Sequence, residues 1–170
     1  MAAISNVLFL CTGDSARSIL AEGILAKRGA GRFIAYSAGS FPKGEVHPLA
    51  IQLLKEQNIP TDGFRSKSWD EFAKPGAPQM EYIFTVCDQA AGEVCPVWPG
   101  HPITAHWGLP DPAAAQGTSA ERALAFREAY RILDTRIQFF LTFQSKNLAR
   151  AALEQKAREA GVLMPSAGNV

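Results

Sequence analysis

The chain has 170 residues, of which 47% are hydrophobic and 19% charged, and its formal net charge is +1. This length and apolar content are enough for one substantial core and short for two, so we expect one domain with a C-terminal tail. A nearly neutral chain offers no general basic face for nucleic acid, and any attraction for anions must be local. The N-terminus lacks a signal-peptide pattern and no apolar run approaches bilayer length. We therefore expect a cytoplasmic protein with neither a nucleic-acid nor a membrane partner.

The first predicted element is a short buried strand at residues 6–10, which a tight turn joins to a helical pattern from residue 19. Such an arrangement places backbone N–H groups and a helix dipole around one point, which favours an anion. The same field predicts a lowered pKa for the Cys11 thiol, and Ser18 can donate a hydrogen bond to its sulfur. Arg17 offers a planar fork for two oxygens of a tetrahedral oxyanion. The residues predicted to hold the oxyanion are Thr12, Gly13, Asp14, Ser15, Ala16 and Arg17.

Three further apolar runs predict strands at residues 33–37, 81–87 and 103–107, with helical patterns between most of them. This alternation predicts an α/β fold with a four-stranded parallel sheet flanked by helices. Binding sites in such doubly wound sheets lie beyond the carboxyl ends of the strands. Cys11, Cys87 and Trp107 all lie at or just past such ends.

Helical patterns occupy residues 46–57 and 68–72, the second opening with a capping box formed by Ser68 and Glu71. The longest helical pattern covers residues 119–143. Its apolar stripe is predicted to pack on the sheet. The members of that stripe are Leu124, Tyr130, Leu133, Ile137 and Phe140.

Cys87 ends the third strand, and Cys95 follows closely enough for the two sulfurs to meet if the segment folds back. Three thiols, one of them an activated nucleophile, can relay a disulfide by successive thiolate attack. Two alternatives stay open at this stage. Cys87 and Cys95 can be inert buried residues, or they can form a zinc set with His101 and His106, although the gaps match neither a finger nor a ribbon.

A carboxyl group at Asp111 stands between Pro110 and Pro112, just after the fourth predicted strand. Rigid placement suits a general acid, which contributes on the order of a hundredfold to ten-thousandfold to a rate. The alternative is an ordinary turn aspartate, since this triplet is also good turn chemistry. The loop at Cys11 favours the catalytic interpretation.

Together these motifs resemble the low-molecular-weight protein tyrosine phosphatase superfamily and, within it, the thioredoxin-coupled bacterial arsenate reductases. The resemblance spans about residues 6–140 and rests on residues 6–18, 36–39, 84–87 with 95–96, and 106–112. It implies a single domain with flavodoxin-like winding. We place that domain at residues 1–143 and a C-terminal helical extension with a loose end at residues 144–170.

The resemblance also implies a reaction. Arg17 and the loop amides bind arsenate, the Cys11 thiolate attacks arsenic, and Asp111 protonates the departing hydroxide. Cys87 then attacks Cys11 to release arsenite, and Cys95 carries the disulfide onward. We expect no bound cofactor and no metal, an external reductant (thioredoxin, or glutaredoxin with a small thiol), and a monomer or weak homodimer. The implied catalytic residues are Cys11, Arg17, Ser18, Asp111, Cys87 and Cys95.

Two loop positions depart from the family pattern. Asp14 stands where the family usually has Asn, and its charge should raise the Cys11 pKa and weaken oxyanion binding unless it is protonated or paired. We therefore expect lower activity than in an Asp14→Asn variant. Ala16 replaces a second loop cysteine that is common in the phosphatases.

Two other functions compete with arsenate reduction. A phosphatase acting on phosphotyrosine or a small phosphate ester needs only Cys11, Arg17 and Asp111. The sequence after Asp111 lacks the adjacent tyrosines that wall a phosphotyrosine slot, so a flat aromatic substrate has little to stack on. The third possibility, suggested by Asp14, is a catalytically quiet oxyanion-binding or redox-sensing protein.

Overall fold

The computed structural model describes residues 4–87, 98–144 and 148–165. It contains one parallel sheet whose strand order is β2-β1-β3-β4. The predicted α/β fold with a four-stranded parallel sheet is confirmed. Because the winding direction reverses between β1 and β3, the carboxyl ends of these two strands form the switch point where such sheets bind ligands. The strands are β1 (Ser5–Leu10), β2 (Phe33–Ala38), β3 (Tyr82–Thr85) and β4 (Ile103–His106).

The two later strands are shorter than the sequence predicts. The runs at residues 81–87 and 103–107 are apolar to their ends, yet β3 stops at Thr85 and β4 at His106. Val86 still donates to the Leu10 carbonyl, and Trp107 to the Thr85 carbonyl. After these last hydrogen bonds the chain leaves the sheet. Cys87 then lies beside Thr12, just past the end of β1.

The helices cover both faces of the sheet. Alternate residues of a strand point to opposite faces, so Val7 and Phe9 of β1 pack with α1 and α4, whereas Leu8 packs with Phe72 of α3. Both faces are covered, which explains why β1 is apolar and buried from Val7 to Leu10. The helices are α1 (Arg17–Arg28), α2 (Pro48–Glu56), α3 (Asp70–Ala73), α4 (Ser119–Thr142) and α5 (Arg150–Ala160), with a short 3-10 helix at Pro112–Ala114.

The long helix α4 begins where the sequence predicts, after a capping box that sequence analysis missed. The Thr118 hydroxyl accepts from the Glu121 N–H, and the Glu121 carboxylate accepts from the Thr118 N–H. Its buried stripe contains Leu133, which is wholly inaccessible, but Leu124 is 49% exposed. The stripe passes through Phe126 instead, and Leu124 was assigned to it wrongly.

The capping box predicted for α3 is also wrong. The Ser68 hydroxyl accepts from the Asp70 N–H, but the Glu71 carboxylate binds Arg65 through two hydrogen bonds. A cationic fork outcompetes a single backbone N–H for this carboxylate. The α2 pattern is shortened to Pro48–Glu56, with His47 Nδ1 accepting from the Leu49 N–H as its N-cap.

The C-terminal helix α5 packs against the outer strand β4 and against α4. The indole N–H of Trp107 donates to the Ala157 carbonyl at 2.8 Å, and Arg136 Nε donates to the Leu163 carbonyl at 3.1 Å. The extension is thus joined to the segment that leads to Asp111. None of the helices within the described ranges is long and apolar enough to span a bilayer.

Candidate active site

The loop between β1 and α1 is held from outside by the segment that follows β2. The carbonyls of Thr12 and Gly13 accept from the N–H groups of Phe41 and Lys43, at 2.9 and 3.0 Å. Close approach of the two segments requires Gly39, because a Cβ there would lie 2.7 Å from the Cys11 carbonyl oxygen. Gly39 is the last residue of segment 36–39, on which the family resemblance partly rests. It allows the loop to lie next to the end of β2.

Two thiols meet at the base of the loop. Cys11 follows β1 directly, Cys87 follows β3, and their side chains are in hydrogen-bonding contact. The Cys87 sulfur also accepts from the Thr12 N–H at 3.3 Å and lies 3.5 Å from the Thr12 hydroxyl. Both cysteines are buried, at 6% and 1% exposed. The structure therefore brings together the two residues between which the first disulfide is expected.

The pKa of Cys11 is raised above its ordinary value. The hydrogen bond with Cys87 raises the pKa most and burial raises it further, while the Arg17 guanidinium and the Gly13 N–H lower it by less. The sequence-based expectation of a lowered pKa is wrong for this arrangement, because two adjacent sulfurs cannot both ionise readily.

Arg17 enters the loop from the first residue of α1. Its Nη1 donates to the Leu109 carbonyl at 2.9 Å, and its Nη2 lies 3.7 Å from the Asp111 carboxylate. Its Nε is buried and has no hydrogen-bond partner among the described residues. Buried N–H groups are nearly always paired, so this donor is the one that an oxyanion in the loop would engage.

Asp111 fits both interpretations of the sequence. One carboxylate oxygen accepts from the Ala113 N–H at 3.0 Å and caps the short helix at Pro112–Ala114, as in an ordinary turn. The other oxygen faces Arg17, and the side chain is 37% exposed. The turn thus fixes the carboxyl group at the rim of the Cys11 loop.

The loop, Arg17 and Asp111 surround a pocket of about 240 Å³. Its mouth carries two residues that sequence analysis missed, Phe41 and Lys43. The Phe41 side chain is 72% exposed. Nothing local marks these residues, because they reach the site only through the docking of their segment on the loop. The pocket is lined by Cys11, Thr12, Gly13, Ser15, Ala16, Arg17, Phe41, Lys43 and Asp111.

Asp14 and Ser18 lie behind the loop and do not line the pocket. The Ser18 hydroxyl donates to Asp14 Oδ1 at 2.8 Å, so the hydrogen bond expected from Ser18 to the Cys11 sulfur is not formed. Asp14 Oδ2 accepts from the Lys67 backbone N–H at 3.0 Å and lies 3.4 Å from the Lys67 ammonium. Asp14 is therefore paired. Sequence analysis missed Lys67 because it is distant along the chain.

Cys95 lies outside the described residues, so the second step of the disulfide relay and the zinc alternative that includes it stay predictions. His106 Nδ1 is 2.8 Å from the Thr85 hydroxyl. Within the part of the chain that the structure describes, no three His, Cys, Asp or Glu side chains cluster as a metal site.

The strand end, the thiol pair and the cationic loop define a cysteine-based oxyanion-binding α/β protein. The chain belongs to the low molecular weight phosphotyrosine protein phosphatase family, whose sequence model matches residues 6–162. It is similar to the arsenate reductases of Halalkalibacterium halodurans (37% identical) and Bacillus subtilis (34%), each over 134 residues that cover 79% of this chain and 93% of the relative.

Solved structures give the same fold. An arsenate reductase in a phosphate-binding state is 25% identical, with a TM-score of 0.65 over 84% of this chain and 100% of that one. A low molecular weight phosphotyrosine phosphatase of Vibrio cholerae O395 is 18% identical, with a TM-score of 0.64 over 85% of this chain and 99% of that one. A thioredoxin-dependent arsenate reductase of Corynebacterium glutamicum is 24% identical, with a TM-score of 0.60 over 82% of this chain and 61% of that one.

Proposed function

We propose that this protein reduces arsenate to arsenite, with Cys11 as the nucleophile and Cys87 as the thiol that forms a disulfide with it. The observation that carries the proposal is the contact between these two buried thiols beneath an oxyanion-sized loop. Phosphate ester hydrolysis needs one thiol, whereas a two-electron reduction needs two that can reach each other. The similarity to arsenate reductases over most of the chain supports the same activity.

Binding comes first. Donors for the oxygens of a tetrahedral dianion come from the loop N–H groups and from Arg17 Nε, which has no partner among the residues that the structure describes. The Lys43 side chain at the pocket mouth adds positive charge. These donors lie at the start of α1, where the helix dipole also favours an anion.

The first chemical step forms a sulfur–arsenic bond. Cys11 attacks arsenic as the thiolate, and a hydroxyl group of arsenate leaves as water after taking a proton from the protonated Asp111 carboxyl group. Cys11 must lose its proton before this attack, and the nearby Arg17 guanidinium favours its thiolate form. Arg17 holds the remaining oxygens and offsets the charge that develops on them.

The second step moves two electrons. Cys87 loses its proton and attacks the Cys11 sulfur, the sulfur–arsenic bond breaks, and its electron pair leaves with arsenic as arsenite. The two thiols are oxidised to one disulfide while arsenic passes from the +5 to the +3 state. The Thr12 N–H, 3.3 Å from the Cys87 sulfur, stabilises the attacking thiolate.

The remaining steps concern residues and partners beyond this pair. Cys95 attacks Cys87 and frees Cys11, and thioredoxin, or a glutaredoxin with a small thiol, reduces the resulting disulfide in the cytoplasm. The reaction as written needs neither a metal nor a bound cofactor.

The proposal is tested by measuring two activities in three proteins: the parent, Cys11→Ser and Cys87→Ser. Arsenate reduction is followed with thioredoxin, its reductase and NADPH, and hydrolysis with p-nitrophenyl phosphate. Cys11→Ser should lose both activities, whereas Cys87→Ser should lose arsenate turnover by about a hundredfold or more. Its phosphatase rate should stay the same or rise, because the thiol that raises the Cys11 pKa is gone. Arsenate turnover that survives loss of Cys87 would remove the intramolecular disulfide from the mechanism.

Phosphatase activity is a second candidate function, and one observation favours it. Phe41 presents an exposed ring beside the pocket that holds Cys11, Arg17 and Asp111. The sequence indicated that a flat aromatic substrate has little to stack on, because the adjacent tyrosines are missing after Asp111. Phe41 supplies such a surface from another segment, so we expect aryl phosphates to be hydrolysed more efficiently than alkyl phosphates.

A further inference from the structure

We propose that Lys67 is a positioning residue for the Cys11 loop: its ammonium balances the buried Asp14 carboxylate, so that the loop can hold a thiolate and an oxyanion. This inference rests on the proposed function, since it concerns anion binding by the same loop. It accounts for a loop position where the family usually has a neutral amide and this chain has an acid.

The backbone at Asp14 explains which residue types fit there. Its φ is +46°, in the left-handed region that Asn and Asp tolerate better than other side chains. The side chain is 0% exposed, so an ionised carboxylate must find its partners within the protein. One oxygen accepts from Ser18 at the start of α1, and the other accepts from the Lys67 backbone N–H and faces its ammonium.

Lys67 is fixed by its surroundings. Its ammonium donates to the Arg65 carbonyl at 2.8 Å and to the Ser37 hydroxyl at 3.2 Å, and its side chain is 8% exposed. Its backbone carbonyl accepts from the Gly39 N–H at 2.9 Å. The adjacent Ser66 hydroxyl donates to the Gly13 carbonyl at 2.9 Å. Lys67 therefore has a fixed position beneath the loop, which it contacts through its backbone N–H as well as through its charge.

A second acid completes the network. Glu22 of α1 accepts from the Ser37 hydroxyl at 2.6 Å and lies 3.9 Å from the Lys67 ammonium. Burial raises the pKa of Glu22 to about 7, so a large share of this side chain is protonated near neutral pH. The Lys67 charge is then available mainly to Asp14, which lies closer.

Removing the Lys67 ammonium should weaken anion binding by the loop. An unbalanced carboxylate at Asp14, immediately after Gly13 and in a low-dielectric interior, repels both the Cys11 thiolate and a bound oxyanion. An amide at the same position carries no charge and needs no ammonium. Lys67→Met should therefore be harmful with Asp14 present and nearly harmless after Asp14→Asn, which predicts strong coupling between the two positions.

The experiment uses Cys11 as its own reporter. Each protein carries Cys87→Ala and Cys95→Ala so that iodoacetamide can alkylate Cys11 alone, and inorganic phosphate is the probe. The rate of alkylation is measured against pH, which gives the thiol titration, and against phosphate concentration, which gives phosphate affinity through protection. Five proteins are compared in this background: the parent, Asp14→Asn, Lys67→Met, Lys67→Arg and the double variant with Asp14→Asn and Lys67→Met.

We expect Lys67→Met to weaken phosphate protection about tenfold or more and to shift the alkylation midpoint upward by about one pH unit. Asp14→Asn and the double variant should remain within about threefold of the parent, because each leaves the loop without an unbalanced anion. Lys67→Arg, which keeps the charge, should retain more phosphate affinity than Lys67→Met. A lysine that merely fills space would instead make the double variant at least as weak as Lys67→Met.

The outcomes separate the two proposals. If phosphate protects the parent but the double variant stays as weak as Lys67→Met, the role of Lys67 is refuted and the proposed function stands. If phosphate at tens of millimolar does not protect the parent, the oxyanion site itself fails, and with it both proposals. Should Lys67→Met not fold by circular dichroism, a folded and protected double variant supports the coupling, and an unfolded one overturns it.

Discussion

Among the groups that shift the pKa of Cys11, the neighbouring Cys87 has the largest effect. Cys87 raises the Cys11 pKa both as a hydrogen-bond partner and through its charge. Cys87→Ala removes both effects and leaves Arg17 and the Gly13 N–H, which act in the opposite direction. We expect the pH midpoint of Cys11 alkylation to fall by at least about one unit in this variant. An unchanged or higher midpoint would show that burial, and not the second thiol, controls the nucleophile.

Phe41 is predicted to separate the two candidate substrates. Phe41→Ala should raise KM for p-nitrophenyl phosphate about fivefold, since an exposed aromatic contact contributes about 1 kcal/mol, and should change KM for arsenate less than twofold. Steady-state kinetics on both substrates provide the measurement. Leu124→Ala, at another exposed apolar side chain, is the matched control and should change neither KM. Equal effects of Phe41→Ala on both substrates would contradict a stacking role.

Some residues of the site can be predicted from the local sequence, and others cannot. Cys11 and Arg17 belong to one local motif, so their joint placement follows from a strand, a turn and a helix start. Lys67 and Phe41 reach the loop from segments remote in sequence, and no local pattern indicates which lysine or aromatic residue will do so. The Ser18 hydroxyl was assigned to the wrong acceptor because the carboxylate at Asp14 competes for it.

Among the elements, α4 connects the segment before Asp111 with the C-terminal extension. Arg136 is 3% exposed and donates to the carbonyls of Trp107, Gly108 and Leu163. Burial lowers the pKa of this guanidinium. Its Nε and Nη1 donate to backbone oxygens, and its Nη2 contacts the Met164 sulfur. The segment before Asp111 and the C-terminal extension thus meet at one side chain of α4.

Arg136→Met should lower the free energy of unfolding by about 3 kcal/mol, because it removes the donor from one buried and two partly buried carbonyls. Urea denaturation followed by tryptophan fluorescence measures the change. Arg131→Met, at an exposed position of the same helix, should stay within about 0.5 kcal/mol of the parent. A loss at Arg136 no larger than that at Arg131 would mean that the three segments do not depend on this arginine.

Element boundaries were less predictable than element types. Hydrophobic periodicity correctly placed the four strands and the long helix, since burial imposes those periods on the sequence. It extended the third and fourth strands past Thr85 and His106, because the apolar residues after them are buried in loops and not in the sheet. Apolar character reports burial and does not by itself report backbone geometry.

At the scale of the whole molecule, stability should depend on pH through Glu22. The pKa of this acid is raised from 4.5 to about 7, so the folded state binds its proton more tightly than the unfolded state. Stability from this group is therefore complete below pH 4.5 and is lost as pH rises through 7. We expect the free energy of unfolding to fall by about 2 kcal/mol between pH 5 and pH 8 on account of Glu22.

Urea denaturation at pH 5, 6, 7 and 8 checks this dependence. Glu22→Gln should flatten the profile, while Glu128→Gln, at an exposed position on α4, should leave it unchanged. A profile as steep in Glu22→Gln as in the parent would assign the pH dependence to other groups.

The most direct test of the whole account is a single turnover without external reductant. Cys95→Ser, which retains Cys11 and Cys87, is mixed with excess arsenate, and both the arsenite formed and the state of the thiols are measured. The account predicts about one arsenite per chain and a Cys11–Cys87 disulfide in the peptide map. Arsenite formed while both thiols can still be alkylated, or no arsenite at all from folded protein, would contradict it.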